Sequence, residues 1–286
     1  MNDFASLMLR PLIACFVLTG IHAYLGFHVI QRGVIFVDLA LAQVAALGTT
    51  IGFLLGYGLH TTGSYLIALT FTVLVAAIFS LLRSENSEVP QEAYIGILYA
   101  VASAASILVL SAVPDGGEEL KGVLVGHILF IGWGEIVKIS LIYGSIALVH
   151  WYFRKQMWLV TYGSSGAEIS GFNVKGWDFL FYVTFGVVVT SSVEVAGVLL
   201  VFSFLIVPSV CGVLLGRSLR TRLLIGWLCG FFSSTAGIFA SYLFDLPTGA
   251  CVVCAFGLSV AVCLFLRQVQ IQSGTISLGQ SLSEIR

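Results

Sequence analysis

Long apolar runs separated by short polar joints dominate the chain. A membrane-crossing helix needs roughly 20 apolar residues at about 1.5 Å each. Runs of that size lie near 11–31, 34–57, 64–82, 93–113, 136–153, 178–193, 195–215, 223–243 and 249–266. The pattern predicts an all-α, polytopic helical bundle of about nine spans, in a range of about eight to ten. Only Ser191-Ser-Val-Glu194 parts the sixth run from the seventh, which predicts a tight hairpin or a broken pair. Residues 1–267 then form one transmembrane domain, and 268–286 form a polar, mobile tail.

Composition narrows the class. Apolar residues make up 58% and charged residues 9%, against about 25% charged in a soluble domain. So few charges cannot clothe a water-facing surface, which leaves lipid as the solvent. A net charge of -1 argues against nucleic acid as a partner. The start holds one basic residue, Arg10, before a long apolar run, so no cleaved signal is expected and the first span stays. The six cysteines lie in apolar segments and read as small buried hydrophobes. Cys251-Val-Val-Cys254 has metal-ligand spacing, but no second pair or histidine lies nearby.

Basic residues set the orientation. Arg32, Arg83, Arg154, Lys155, Lys175, Arg217, Arg220, Arg222 and Arg267 fall in alternate joints. The other joints hold only Lys121, with Lys138 at the edge of the fifth span. The positive-inside rule then puts the N-terminus outside and the C-terminus inside. The outer connection 114–135 contains an apolar run, Val123 to Trp133, too short to span, which reads as re-entrant or interfacial. The inner connection 154–178 contains Ser164-Ser-Gly-Ala-Glu-Ile-Ser-Gly171. That stretch reads either as an ordinary polar connection or as a short helix along the membrane where a soluble partner docks.

Polar side chains inside spans are costly and mark pathways. The first span carries His22 and His28, and the second carries Asp38 and Gln43. By helical rise, His22 and Gln43 lie roughly 15 Å from the Arg32 end, and His28 and Asp38 roughly 6–9 Å from it. Two polar levels result if the two spans are neighbours. Imidazole and carboxylate suit a divalent transition metal, with His22 and Asp38 the first choice of ligands. Asp38 and Gln43 are about 140° apart around a regular helix, and His22 and His28 about 120°. A single four-ligand cage therefore needs a helix break, and pairing of Asp38 with Arg32 or His28 is the structural alternative. Glu194, Asp245 and Glu92 sit at helix ends, as gate or docking residues or as solvated ends. Pro208, inside the seventh span, should kink it and offers a hinge at a gate.

No Gly-x-x-x-x-Gly-Lys-Ser/Thr loop is present, so any ATP would be bound by another subunit. No nucleophile-plus-base or His-Glu-x-x-His motif is present either, which argues against an enzyme.

Several stretches together resemble one family. They are Leu25-Gly-Phe-His-Val-Ile-Gln-Arg-Gly33 with Asp38 to Gly48, Glu92-Ala-Tyr-Ile-Gly-Ile-Leu-Tyr99, and Leu124-Val-Gly-His-Ile-Leu129. Further on come Glu194-Val-Ala-Gly-Val-Leu-Leu-Val201 with Leu205-Ile-Val-Pro208, and Ser241-Tyr-Leu-Phe-Asp-Leu-Pro-Thr-Gly249. Over about residues 11–266 the chain resembles the permease subunits of manganese/zinc/iron ABC importers. The resemblance implies a homodimer of permeases in the bacterial inner membrane, a separate cytoplasmic ABC ATPase that holds the ATP, and an extracytoplasmic metal-binding protein. It implies zinc, manganese or iron as transported cargo and no stably bound cofactor. It also implies that Ser165, Gly166, Ala167, Glu168, Ile169, Ser170 and Gly171 form the coupling helix received by the ATPase.

One departure stands out. The family's second helix usually reads Gly-Asp-Ala-Leu-Ser-His, with Asp and His on one face. Here the His position is Gln43, the Asp position is Leu39, and the acid stands one place earlier at Asp38. That leaves two alternatives beside a free metal ion: a metal chelate as cargo, or an ion-coupled secondary transporter that uses Asp38.

Overall fold

The computed structural model describes residues 2–58, 61–82, 88–111, 126, 128–162 and 172–272. Among these residues there are ten α-helices and one 3-10 turn. They are α1 (Asn2–Arg32), α2 (Val37–Leu54), α3 (Thr62–Leu82) and α4 (Gln91–Ser111), then the 3-10 turn (Ile128–Phe130). After it come α5 (Trp133–Tyr152), α6 (Arg154–Tyr162), α7 (Val174–Ala196), α8 (Val198–Leu215), α9 (Leu219–Phe244) and α10 (Thr248–Gln272). Eight are long and apolar enough to cross a membrane, and α5 with α6, bent by 78°, make nine if counted as one span. Lipid cannot satisfy backbone polar groups, so spans of this composition must be helical. Hydroxyls inside the helices close on their own backbone. Thr19 donates to Cys15, Thr72 to Ala68 and Ser106 to Ala102, each four residues back.

The helices pack in two groups. In one, α2, α3, α4 and α7 lie together, and in the other α1, α8, α9 and α10 do. The bent α5–α6 pair bridges them, touching both α1 and α7. Small residues let the axes close up. A Cβ on Gly48 would overlap the Ala68 backbone, bringing α2 onto α3, and one on Gly237 would overlap Val252, bringing α9 onto α10. Buried Phe181, Tyr182, Phe185, Phe204 and Phe256 fill the interior.

Some boundaries move. Helix α7 runs unbroken through Ser191-Ser-Val-Glu194, and the break falls at Gly197. The Ser191 and Ser192 hydroxyls return to Val187 and Val188 carbonyls, so a loop-like sequence stays helical. Gly197 has φ 76 and ψ 161, a region open essentially to glycine alone. Gly126 sits against the Ala196–Gly197 peptide. The described part of the 123–133 run thus packs on this junction, and its 3-10 turn also touches α1 and α10. Helix α10 continues to Gln272, beyond 267, and the rest of the tail lies outside the described residues. All six cysteines are free; Cys15, Cys211 and Cys263 are buried, whereas Cys254 is exposed rather than buried.

Candidate functional site

The turn between α1 and α2 is firmly built. The Gly33 N–H donates to Ile30 at 3.1 Å and the Val34 N–H to Val29 at 3.3 Å, the crossed pair of bonds that ends a helix at a left-handed glycine. The next donor, the Ile35 N–H, is taken by the Glu92 carboxylate at 2.7 Å. Glu92 is therefore a tie across this turn rather than a solvated helix end. The turn sends α2 into the other helix group. Helix α1 packs on α5, α8 and α9, whereas α2 packs on α3, α4 and α7. The two helices make little contact with each other, so His22 and His28 do not face Asp38 and Gln43 as two shared levels.

The partners of α1 come instead from α5, α6 and α7. At the first level the His22 and Tyr143 rings meet edge-on at 6.0 Å. Tyr143 bonds Ser192 at 2.5 Å, and since Ser192 gives its proton to Val188, the phenol is the donor. At the second level Tyr24 lies 5.7 Å from the His150 ring, and His150 Nε2 bonds Thr184 at 2.8 Å. At the third level His28 Nδ1 bonds Thr161 at 2.7 Å, and Arg32 bonds both Thr161 at 3.3 Å and Asp178 at 2.5 Å. Beyond the first level, toward the other end, Lys138 pairs with Glu194 at 3.1 Å and lies over Tyr65. These contacts form a polar file along the α1–α5–α7 seam, spanning fourteen residues of α7 between Asp178 and Ser192, or about 21 Å.

The histidines share a feature. His22 Nδ1 donates to the Leu18 carbonyl at 2.8 Å. Thr161 and Thr184 spend their protons on carbonyls of Met157 and Leu180, so His28 Nδ1 and His150 Nε2 must donate to them. Each ring is thus held in one tautomer, with the other nitrogen carrying a lone pair. Those three nitrogens are buried and have no hydrogen-bond partner among the described residues. A lone pair preset in this way can take a cation or a proton.

Asp38 lies in the first turn of α2, fully buried, and neither carboxylate oxygen has a partner among the described residues. The expected alternative partners are engaged elsewhere: Arg32 holds Asp178 and His28 holds Thr161. A buried, unpaired carboxylate is expensive to keep. Gln43 is also buried on α2. No three His, Cys, Asp or Glu side chains among the described residues converge on a metal-sized point.

The remaining candidates are placed as follows. Glu194 is tied to Lys138, Pro208 is buried inside α8, and Asp245 is exposed in the left-handed position that ends α9. Residues 165–171 lie outside the described residues. His150, Asp178 and Thr161 were not singled out from the sequence. A signal existed for His150: with Ile136, Ile139, Tyr143 and Ile146 it forms one buried face of α5 at helical spacing.

Comparison with known proteins accounts for this architecture. Over 265 residues the chain is 24% identical to the manganese transport system membrane protein MntC of Halalkalibacterium halodurans, covering 93% of this chain and 89% of the relative. It is 24% identical over 267 residues to the chelated iron transport system membrane protein YfeD of Yersinia pestis, covering 92% and 86%. The fold matches a chain of PsaBC from Streptococcus pneumoniae in complex with Fab, with a TM-score of 0.76 at 22% identity, over 92% of this chain and 94% of that one. The model of the ABC 3 transport family matches residues 5–268, and the chain is a membrane-spanning member of that family.

Proposed function

We propose that the chain is the permease subunit of an ATP-driven importer of a divalent transition-metal ion, manganese, iron or zinc. The observation that carries this reading is the family match across nearly the whole chain. The unpartnered buried atoms of His22, His28 and Asp38 support it, because they supply the ligand chemistry that metal passage requires. The proposed pathway residues are His22, His28, Asp38 and Gln43. Glu194, Pro208 and Asp245 are the proposed gate residues. The working assembly is a permease homodimer in the bacterial inner membrane, served by a cytoplasmic ABC ATPase and an extracytoplasmic binding protein. The ATPase binds the ATP, and 165–171 is the proposed contact with it. The basic joints support an orientation with the Arg32 end inside, the N-terminus outside and the C-terminus inside. The subunit itself is not an enzyme, and residues 1–267 act as one transmembrane domain.

A second reading is a metal chelate as cargo. Gln43 in place of the usual histidine favours it. Membership of the ABC 3 transport family leaves the ion-coupled alternative without support.

The test is reconstitution with the ATPase and binding proteins in liposomes. Metal-stimulated ATP hydrolysis and uptake of Mn²⁺, Fe²⁺ or Zn²⁺ are expected. Loss of chelate uptake but not free-ion uptake on deletion of the protein would favour the second cargo, and no association with any ATPase would sink both.

A further inference from the structure

We infer that Thr161 and Arg32 are positioning residues that tie the ATPase-facing part of the permease to the pathway histidine His28. The inference rests on the ATP-driven reading above. Helix α6 ends at Tyr162 and α7 begins at Val174, so Thr161 and Asp178 stand on either flank of the connection between them. Both flanks are bonded to the last turns of α1. The Thr161 hydroxyl accepts from His28 Nδ1 at 2.7 Å and from Arg32 Nε at 3.3 Å, and passes its own proton to Met157. Its two lone pairs are thus filled by two donors one helical turn apart on α1. Arg32 Nη1 reaches Asp178 at 2.5 Å, with both side chains nearly fully buried. The Arg32 guanidinium also lies 3.7 Å over the Phe181 ring, on the turn after Asp178.

The consequence is mechanical and chemical at once. A displacement of α6 relative to α7 cannot leave α1 unaffected, because one guanidinium and one hydroxyl join all three. The same hydroxyl fixes the His28 tautomer, and so decides that Nε2 keeps its lone pair. The His28 ring is packed by Tyr24 at 4.7 Å and Trp158 at 4.4 Å, and Trp158 belongs to α6. Movement of α6 therefore removes the acceptor and one aromatic wall from His28 together. Any displacement at the ATPase side is thereby coupled to the availability of the His28 lone pair in the seam.

The experiment measures metal transported per ATP hydrolysed by the reconstituted full complex. Three variants are compared: Thr161→Val, Thr161→Ser and the neutralised pair Arg32→Gln with Asp178→Asn. Valine keeps the shape and removes the acceptor, whereas serine keeps the acceptor and removes a methyl group. Transport per ATP is expected to fall roughly two- to thirtyfold in Thr161→Val and in the neutralised pair, with ATP hydrolysis retained, and to stay near wild type in Thr161→Ser. The reverse order, serine impaired and valine normal, would show that Thr161 only fills space and would overturn the inference. Ser80→Ala is the control, because Ser80 bonds the Lys175 carbonyl and steadies the start of α7 without touching α1. An equal fall in Ser80→Ala would show that any loosening of α7 suffices, and would overturn it too. If the wild-type complex hydrolyses no ATP in response to metal, the ATP-driven reading fails first and takes this one with it. Should the neutralised pair not assemble, the valine and serine comparison decides alone.

Discussion

Gly26 of α1 lies against the Leu205 carbonyl of α8 so closely that no side-chain carbon fits between them. Ser209, one turn further along α8, shares its proton between the Leu205 carbonyl at 2.8 Å and the Ala23 carbonyl at 3.0 Å, and so bridges the two helices. Gly26→Ala should therefore destabilise the protein by about 1–3 kcal/mol. Gly20, on the same helix, has open space where a Cβ would go. Gly20→Ala should be neutral or slightly stabilising. Thermal unfolding of the two variants in detergent checks the contrast.

Asp38→Asn should separate function from stability. The carboxylate is buried with both oxygens unpartnered among the described residues, so neutralising it costs the fold nothing. Uptake is expected to fall by at least the roughly 10- to 100-fold that follows loss of a group one step removed from a metal, while the unfolding temperature holds or rises. Glu118→Gln, in the 112–125 stretch outside the described residues, should keep wild-type uptake. Equal uptake by the two variants would remove Asp38 from the pathway.

Arg32→Gln alone should be severe. It leaves Asp178 as a buried charge without its bonded arginine, at about 3–5 kcal/mol. Adding Asp178→Asn should restore most of that loss, since the two residues are in direct contact. A double-mutant cycle on thermal or denaturant stability reads the coupling. Additive losses would mean that the pair is not energetically linked.

His150→Leu should assemble with normal yield yet transport poorly. Its ring makes one bond, to Thr184, and leaves one buried nitrogen without a partner, so an apolar replacement of similar size is tolerated. Size-exclusion profile and uptake, measured on the same preparation, test this. Normal uptake would confine the seam's role to His22 and His28.

The helices were readable because an apolar run in lipid has no other structure open to it. Their ends were less so. Ser191-Ser-Val-Glu194 looks like a joint, but both serines satisfy themselves on α7. The true joint needs Gly197, whose left-handed backbone no local pattern announces. Within the site, His22, His28 and Asp38 stood out as polar residues in apolar runs. What they touch did not, because contact is fixed by packing between distant segments. Arg32 finds Asp178, 146 residues away, rather than Asp38 six residues on. The helical spacing of Ile136, Ile139, Tyr143, Ile146 and His150 marks a buried face on α5, but nothing local says that His150 meets Thr184, 34 residues on.

Gly197 has a consequence for how the molecule can move. It joins α7 of one helix group to α8 of the other through a single residue. At the opposite end the groups are joined again, by the four-residue turn Gly33 to Phe36 between α1 and α2. Two such short links at opposite ends tie the groups to each other at both faces of the bundle, so the chain leaves little slack between them at either end.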